Sequence, residues 1–227
     1  LSSESYIQFK EKKDIQRYIN TINLCHMLIP VSDGVRESFE SNINFNGQIL
    51  TITNGCDYKF FTPLQHENIM RHNHKIVFYQ GNIFGKINYD LLLTLASNMT
   101  DWEFHFCGKI VFNEPKWQQL CRLPNVKYLG LLTVEAIRDA SYQSTVGIIP
   151  FEPSEWLVKR SLPLKTFEYL ATGLPVVSIP IDAINLYSDI ILFANTAIEF
   201  QQAIEHAYTL RWDEQHLQKR LEAAALQ

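Results

Sequence analysis

No excess of basic charge marks this 227-residue sequence, whose formal net charge is -4. Nucleic-acid binders as a rule present a basic face, so duplex or RNA recognition is excluded as the main task. Cysteine is sparse and scattered, with Cys25, Cys56, Cys107 and Cys121 forming no Cys-x-x-Cys pair. Three of the four sit in or beside apolar segments, which predicts buried free thiols in a reducing compartment. No uninterrupted apolar run reaches the roughly 18–20 residues needed to span a bilayer. The start, Leu1-Ser2-Ser3-Glu4-Ser5, is neither a signal peptide nor headed by Met, so the chain is expected to begin inside a longer polypeptide. Also missing are a Walker A loop, the dinucleotide fingerprint, a Gly-x-Ser-x-Gly elbow, a His-Glu-x-x-His pair and an Asp-rich cation loop. His72-Asn73-His74 reads as a solvated turn rather than a metal site, and His105 as a core or sheet-face histidine.

What remains is a chain with 46% hydrophobic and 19% charged residues, enough to bury an ordinary core. A helical stripe over 4–24 is followed by a short strand at 27–31 and a helix opened by Ser32-Asp33-Gly34-Val35. Turn-prone residues around Gly47 mark a boundary. Beyond it, strands are predicted at 49–53, 75–79, 102–107, 126–129, 146–150, 176–179 and 190–193. Helices are predicted at 89–98, 115–121, 134–142, 164–172, 197–210 and 213–225. Near-continuous apolar runs such as Ile76-Val77-Phe78-Tyr79 suit parallel strands covered on both faces. The alternation predicts a Rossmann-like, doubly wound α/β sheet, in which ligands sit beyond the carboxyl ends of the strands.

The segments after those strands therefore hold the candidate site residues. Gln80-Gly81-Asn82-Ile83-Phe84-Gly85-Lys86 offers glycines for close backbone approach and a cation. Gly108-Lys109 and Gly130-Leu131-Leu132-Thr133 follow the next two strands, Thr133 as an N-cap and the glycines as ordinary turn residues. A polar loop from Phe151 to Ser161, with Glu152, Glu155, Lys159 and Arg160, leads into the most informative stretch, 161–177. There Ser161 is expected to N-cap a helix that has Pro163 at its first positions and Gly173 at its end. Leu164, Phe167, Leu170 and Ala171 form its core-facing stripe, while Lys165, Glu168 and Thr172 share a polar face. From spacing alone, Lys165 and Glu168 read equally as a grip on a phosphorylated, hydroxylated ligand and as an exposed ion pair.

In order along the chain, these segments resemble a known family. Asn54-Gly55-Cys56-Asp57 with Phe61-Thr62-Pro63, Tyr79-Gln80-Gly81-Asn82-Ile83, and Pro124-Asn125-Val126-Lys127-Tyr128-Leu129-Gly130 resemble blocks of the second domain of GT-B glycosyltransferases. Val146-Gly147-Ile148-Ile149-Pro150-Phe151 and Pro163 through Val177 resemble its most diagnostic blocks, and glycosyltransferase family 4 is the nearest group. The resemblance implies transfer of a sugar from a nucleotide-diphosphate donor to a saccharide or lipid-linked acceptor in polysaccharide biosynthesis. It implies a cytoplasmic protein with no metal or other cofactor. It leaves room for peripheral membrane association through the first domain, of which residues 1–47 would be the last part. Residues 48–212 would form the donor-binding domain and 213–227 a C-terminal helix.

By the same resemblance, Glu168 would hold the ribose hydroxyls. Gly81, Asn82, Lys86, Lys165 and the helix start at Leu164 would meet the diphosphate and sugar. Gly108, Lys109 and Leu131 would bracket the base. Two positions depart from the pattern: Arg160 stands where many members carry a second Glu, and Asn82 where an Arg is common. Either the phosphate cations are rearranged, with Arg160 or Lys159 substituting, or donor binding is weak. No catalytic residue is assigned. An epimerase of the same fold and a non-catalytic interaction module stay open as alternatives.

Overall fold

The computed structural model describes residues 12–62, 74–111 and 115–227. Residues 4–11 of the first expected helix, Pro63, and His72 and Asn73 lie outside the described residues. Contacts divide the chain into two units, one of residues 1–54, 153–163 and 181–186, the other of 55–152, 164–180 and 187–227.

In the first unit α1 (Lys12–Asn23) leads to β1 (Met27–Leu28), α2 (Asp33–Asn42) and β2 (Gln48–Ile49). Ser32 N-caps α2 by accepting the Val35 N–H at 3.3 Å. The two strands pair in parallel, Met27 opposite Gln48 and Leu28 opposite Ile49. Ile22, Leu28, Val35, Phe39 and Ile43 form the core of this unit, with Phe45 and Ile49 against it.

The second unit begins with the short helix α3 (Tyr58–Phe61). Strand and helix then alternate through β3 (Ile76–Gln80), α4 (Tyr89–Asn98), β4 (Glu103–Cys107), α5 (Pro115–Leu120), β5 (Val126–Tyr128), α6 (Val134–Tyr142) and β6 (Val146–Ile149). After β6 the chain passes into the first unit as α7 (Glu155–Arg160). It returns as α8 (Leu164–Ala171), β7 (Val176–Ser178), a 3-10 turn at Asp182–Tyr187 spanning the boundary, β8 (Ile191–Phe193), α9 (Ala197–Leu210) and α10 (Glu214–Ala225). All six strands of the second unit are parallel, in the order β5-β4-β3-β6-β7-β8. This is the doubly wound α/β arrangement expected from the sequence. Its order reverses between β3 and β6, so the crevice for a ligand opens beyond Gln80 and Pro150. Every residue of β3, β6 and β7 is buried, as their apolar runs require of strands covered on both faces.

Three local expectations are corrected. The polar loop after β6 is in part a helix: Ser154 caps α7 by accepting the Leu157 N–H at 3.2 Å, and Lys159 pairs with Glu155 one turn earlier. Ser161 is the C-cap of that helix, its N–H donating to Leu157 O, and does not N-cap α8. Of the four free thiols only Cys107 is buried; Cys56 is half-buried and Cys25 and Cys121 are exposed. His105, expected in the core or on the sheet face, is part-buried and bonded to Glu103 at 2.7 Å.

Candidate functional site

Three strand ends form a ledge of glycine. Gly81, Gly108 and Gly130 follow β3, β4 and β5 with φ of +130°, +132° and +78°, a region that side-chain-bearing residues rarely adopt. The Gly81 N–H donates to Cys107 O at 2.9 Å and the Gly108 N–H to Gly130 O at 2.8 Å, extending the sheet by one step. A Cβ on Gly108 would lie 2.0 Å from Gly81 O, so the two turns pack backbone against backbone. Tyr128 closes the outer side, donating its hydroxyl to Gly108 O at 2.7 Å. Lys109 and Asn82 are exposed beside this ledge, and Leu131 is 77% exposed.

Across the switch point stands α8. Its apolar residues Phe167, Leu170 and Ala171 are buried as the stripe requires, while Leu164 at its start is half exposed. The first-turn N–H groups of Leu164, Lys165 and Thr166 meet no acceptor among the described residues, leaving the positive end of the helix open. At the other end Gly173, with φ +79°, stops the helix, its N–H donating to Leu170 O and that of Leu174 to Tyr169 O. The buried Arg220 of α10 donates to Gly173 O at 2.8 Å and anchors that terminus.

Lys165 and Glu168 do not pair. The Lys165 ammonium lies over the Tyr79 ring, 3.8 Å from its centroid, with Phe151 at 5.1 Å. A Cβ on Gly81 would meet it at 2.8 Å, so the glycine is required for space as well as for its φ. Burial pulls the Lys165 ammonium down to about 7, against weaker opposing effects of Cys107 and Glu168. Glu168 turns instead to β3, where its Oε2 accepts from Gln80 Nε2. Burial raises the Glu168 carboxyl, opposed by Lys165 and by the Gln80 bond. Lys86 is half-buried near Phe84 and is lowered by burial.

Of the ten residues named from the sequence, nine therefore sit in the second unit, around the carboxyl ends of β3, β4 and β5 and on the first turns of α8. Arg160 is placed in the first unit, where its Nε donates to Ser38 Oγ and its carbonyl accepts from Ser32 Oγ at 2.8 Å. Gln80, which touches Glu168, was missed. Its signal was a lone polar residue closing an apolar strand.

The family model described as "Glycosyl transferases group 1" matches residues 74–209, more than half of the chain. The chain belongs to that family. Over 135 residues this group 1 chain is 30% identical to a Bacillus subtilis (strain 168) protein named as a teichuronic acid biosynthesis glycosyltransferase, TuaH. That match covers 57% of the chain and 34% of the relative, so the chain spans about a third of that relative's length. Among solved structures, a sucrose-phosphate synthase from Thermosynechococcus elongatus superposes with TM-score 0.69 at 15% identity, covering 94% of this chain and 58% of that one. A glycosyltransferase from Rickettsia africae ESF-5 gives 0.68 at 15%, covering 92% and 60%. A mutant of S. aureus TarM, in complex with fondaparinux, alpha-GlcNAc-glycerol and UDP, gives 0.62 at 15%, covering 94% and 42%. These likenesses establish the fold, a GT-B glycosyltransferase domain. No helix among the described residues is long and apolar enough to cross a membrane.

Proposed function

We propose that this group 1 glycosyltransferase chain binds the nucleotide-diphosphate sugar from which a sugar is transferred to a saccharide or lipid-linked acceptor in cytoplasmic polysaccharide assembly. The observation that carries this reading is the separation of Lys165 from Glu168 at the switch point. The two form no ion pair with each other, which leaves the carboxylate for ribose hydroxyls and the cation for a diphosphate. The open N-terminus of α8 adds N–H donors and a favourable dipole for the same anion. The glycine ledge, with Lys109 and Leu131 beside it, gives a nucleotide room to lie against backbone. Lys165, Lys86 and the helix start supply positive charge to a departing nucleoside diphosphate without a metal. The complex of the structural neighbour TarM with UDP supports a ligand of this kind.

Calorimetric titration with UDP, ADP, GDP and CDP tests the reading. One of them is expected to bind, with affinity unchanged by EDTA, and Glu168→Ala weakens it about tenfold or more. If none binds at roughly millimolar levels, the interaction-module alternative takes its place. Unchanged affinity in Glu168→Ala removes that residue from the site.

A further inference from the structure

Gln80 is an unexpected residue at its position. It closes β3, is 4% exposed, and sits in a strand that is otherwise Ile76, Val77, Phe78 and Tyr79. Its amide nitrogen faces Glu168, and its Oε1 is buried with no partner among the described residues. An unsatisfied buried carbonyl costs stability that an apolar residue of the same shape would not. Filling space does not account for a glutamine here.

The backbone around it is arranged to bring Glu168 to the amide. The Gln80 N–H donates to the hydroxyl of Tyr169, the residue after Glu168, at 2.9 Å. The Tyr169 ring reaches β3 by crossing β6 over Gly147, where a Cβ would lie 2.5 Å from the ring. One strand residue thus holds two consecutive helix residues, and the glycine in β6 makes the passage. Being neutral, the amide donates to the carboxylate without cancelling its charge, unlike an Arg or Lys in its place.

We propose that Gln80 is a positioning residue for the donor site, holding the Glu168 carboxylate ionised and fixed so that its remaining acceptor sites meet the ribose hydroxyls. This rests on the donor-binding role proposed above for Glu168. The other groups near Glu168 are Lys165 on its own helix, the Tyr169 hydroxyl, and the Cys56 thiol before α3. Burial raises Tyr169 and holds Cys56 at about 11, so both stay neutral through the neutral range. Lys165 titrates near 7 and is coupled to Glu168, so each Gln80 variant is also compared in a Lys165→Met background, from which that titration is absent.

The test uses the 227-residue chain and the nucleoside diphosphate that binds best in the panel. Gln80→Met keeps the shape and removes the donor. Its affinity deficit relative to wild type is expected to be largest at acidic pH, where Glu168 protonates more readily, and to shrink about tenfold as pH rises and the carboxyl ionises. In Gln80→Glu the two carboxyls share a proton at low pH, which restores the bond, and repel once both ionise. Its deficit therefore grows with pH, the opposite slope. Carbon-13 NMR of the Glu168 carboxyl should show its midpoint moved upward in Gln80→Met, with Tm no lower than wild type. Ratios flat in pH for both variants, or an unmoved midpoint, overturn the proposal. If Glu168→Ala leaves nucleotide affinity intact, the donor-site reading fails, and with it the ribose role of Gln80. The NMR midpoint then decides separately whether Gln80 governs the carboxylate.

Discussion

Lys165→Met is expected to give a more stable protein that binds nucleoside diphosphate about 30-fold more weakly. The ammonium sits over Tyr79 and beside Phe151, and burial holds it near 7 against 10.5 for a free lysine. Below pH 7 it is protonated both folded and unfolded, and the folded state carries the whole cost of desolvating it. Between about 7 and 10.5 the unfolded chain binds more protons, so stability rises with pH across that window as the folded lysine becomes neutral. Methionine fills the same aromatic slot without a charge. Its gain, on the order of 1 kcal/mol after loss of the cation–π contact, is largest below pH 7 and fades towards 10.5. The binding loss is that of one charge-assisted phosphate contact, about 2 kcal/mol.

A second signature separates this role from simple packing. A diphosphate placed against Lys165 favours its charged form, so nucleotide binding above about pH 7 should take up protons. Calorimetry in two buffers of different ionisation enthalpy reads that uptake, which should fall in Lys165→Met. Equal uptake in both proteins would remove Lys165 from the diphosphate subsite.

How far the sequence predicted these features depended on whether the cause was local. The apolar runs at Ile76–Tyr79 and Val146–Ile149 announced themselves because a parallel strand covered on both faces has no polar side to display. Thr133 was legible as a cap for the same local reason and accepts the Ala136 N–H at 3.3 Å. Six residues are too few to establish a helical period, so α7 was hidden in a polar stretch whose capping Ser154 looked like one more loop residue. The Lys165–Glu168 ambiguity turned on partners 86 and 88 residues away, Tyr79 and Gln80, which no spacing within the helix reveals. Gln80 went unnoticed because its meaning comes from the carboxylate it faces. At its own position it reads as the first residue of a turn.

The three ledge glycines carry the other large effect, and they look alike in sequence, each standing just past a strand. Their surroundings predict unequal costs for substitution by alanine. Gly130→Ala meets no atom within 4 Å, so only the φ of +78° resists it, at about 1 kcal/mol. Gly81→Ala adds a contact at 2.8 Å with Lys165 Nζ, the mobile end of a long side chain. The lysine can shift, so stability falls by a further few tenths to about 1 kcal/mol, while diphosphate affinity falls with the displaced cation. Gly108→Ala has no such escape: its Cβ would lie 2.0 Å from Gly81 O, a backbone atom held in place by the sheet extension. Relief requires β3 and β4 to separate at their carboxyl ends, breaking the Gly81 N–H bond to Cys107 O. Loss of the order of 3–4 kcal/mol is expected, with nucleotide binding abolished. Urea denaturation of the three variants should rank them Gly130→Ala, Gly81→Ala, Gly108→Ala in increasing cost. Equal costs would mean that the glycines serve turn geometry alone, as their sequence positions suggested, and that the ledge is not a close-packed surface.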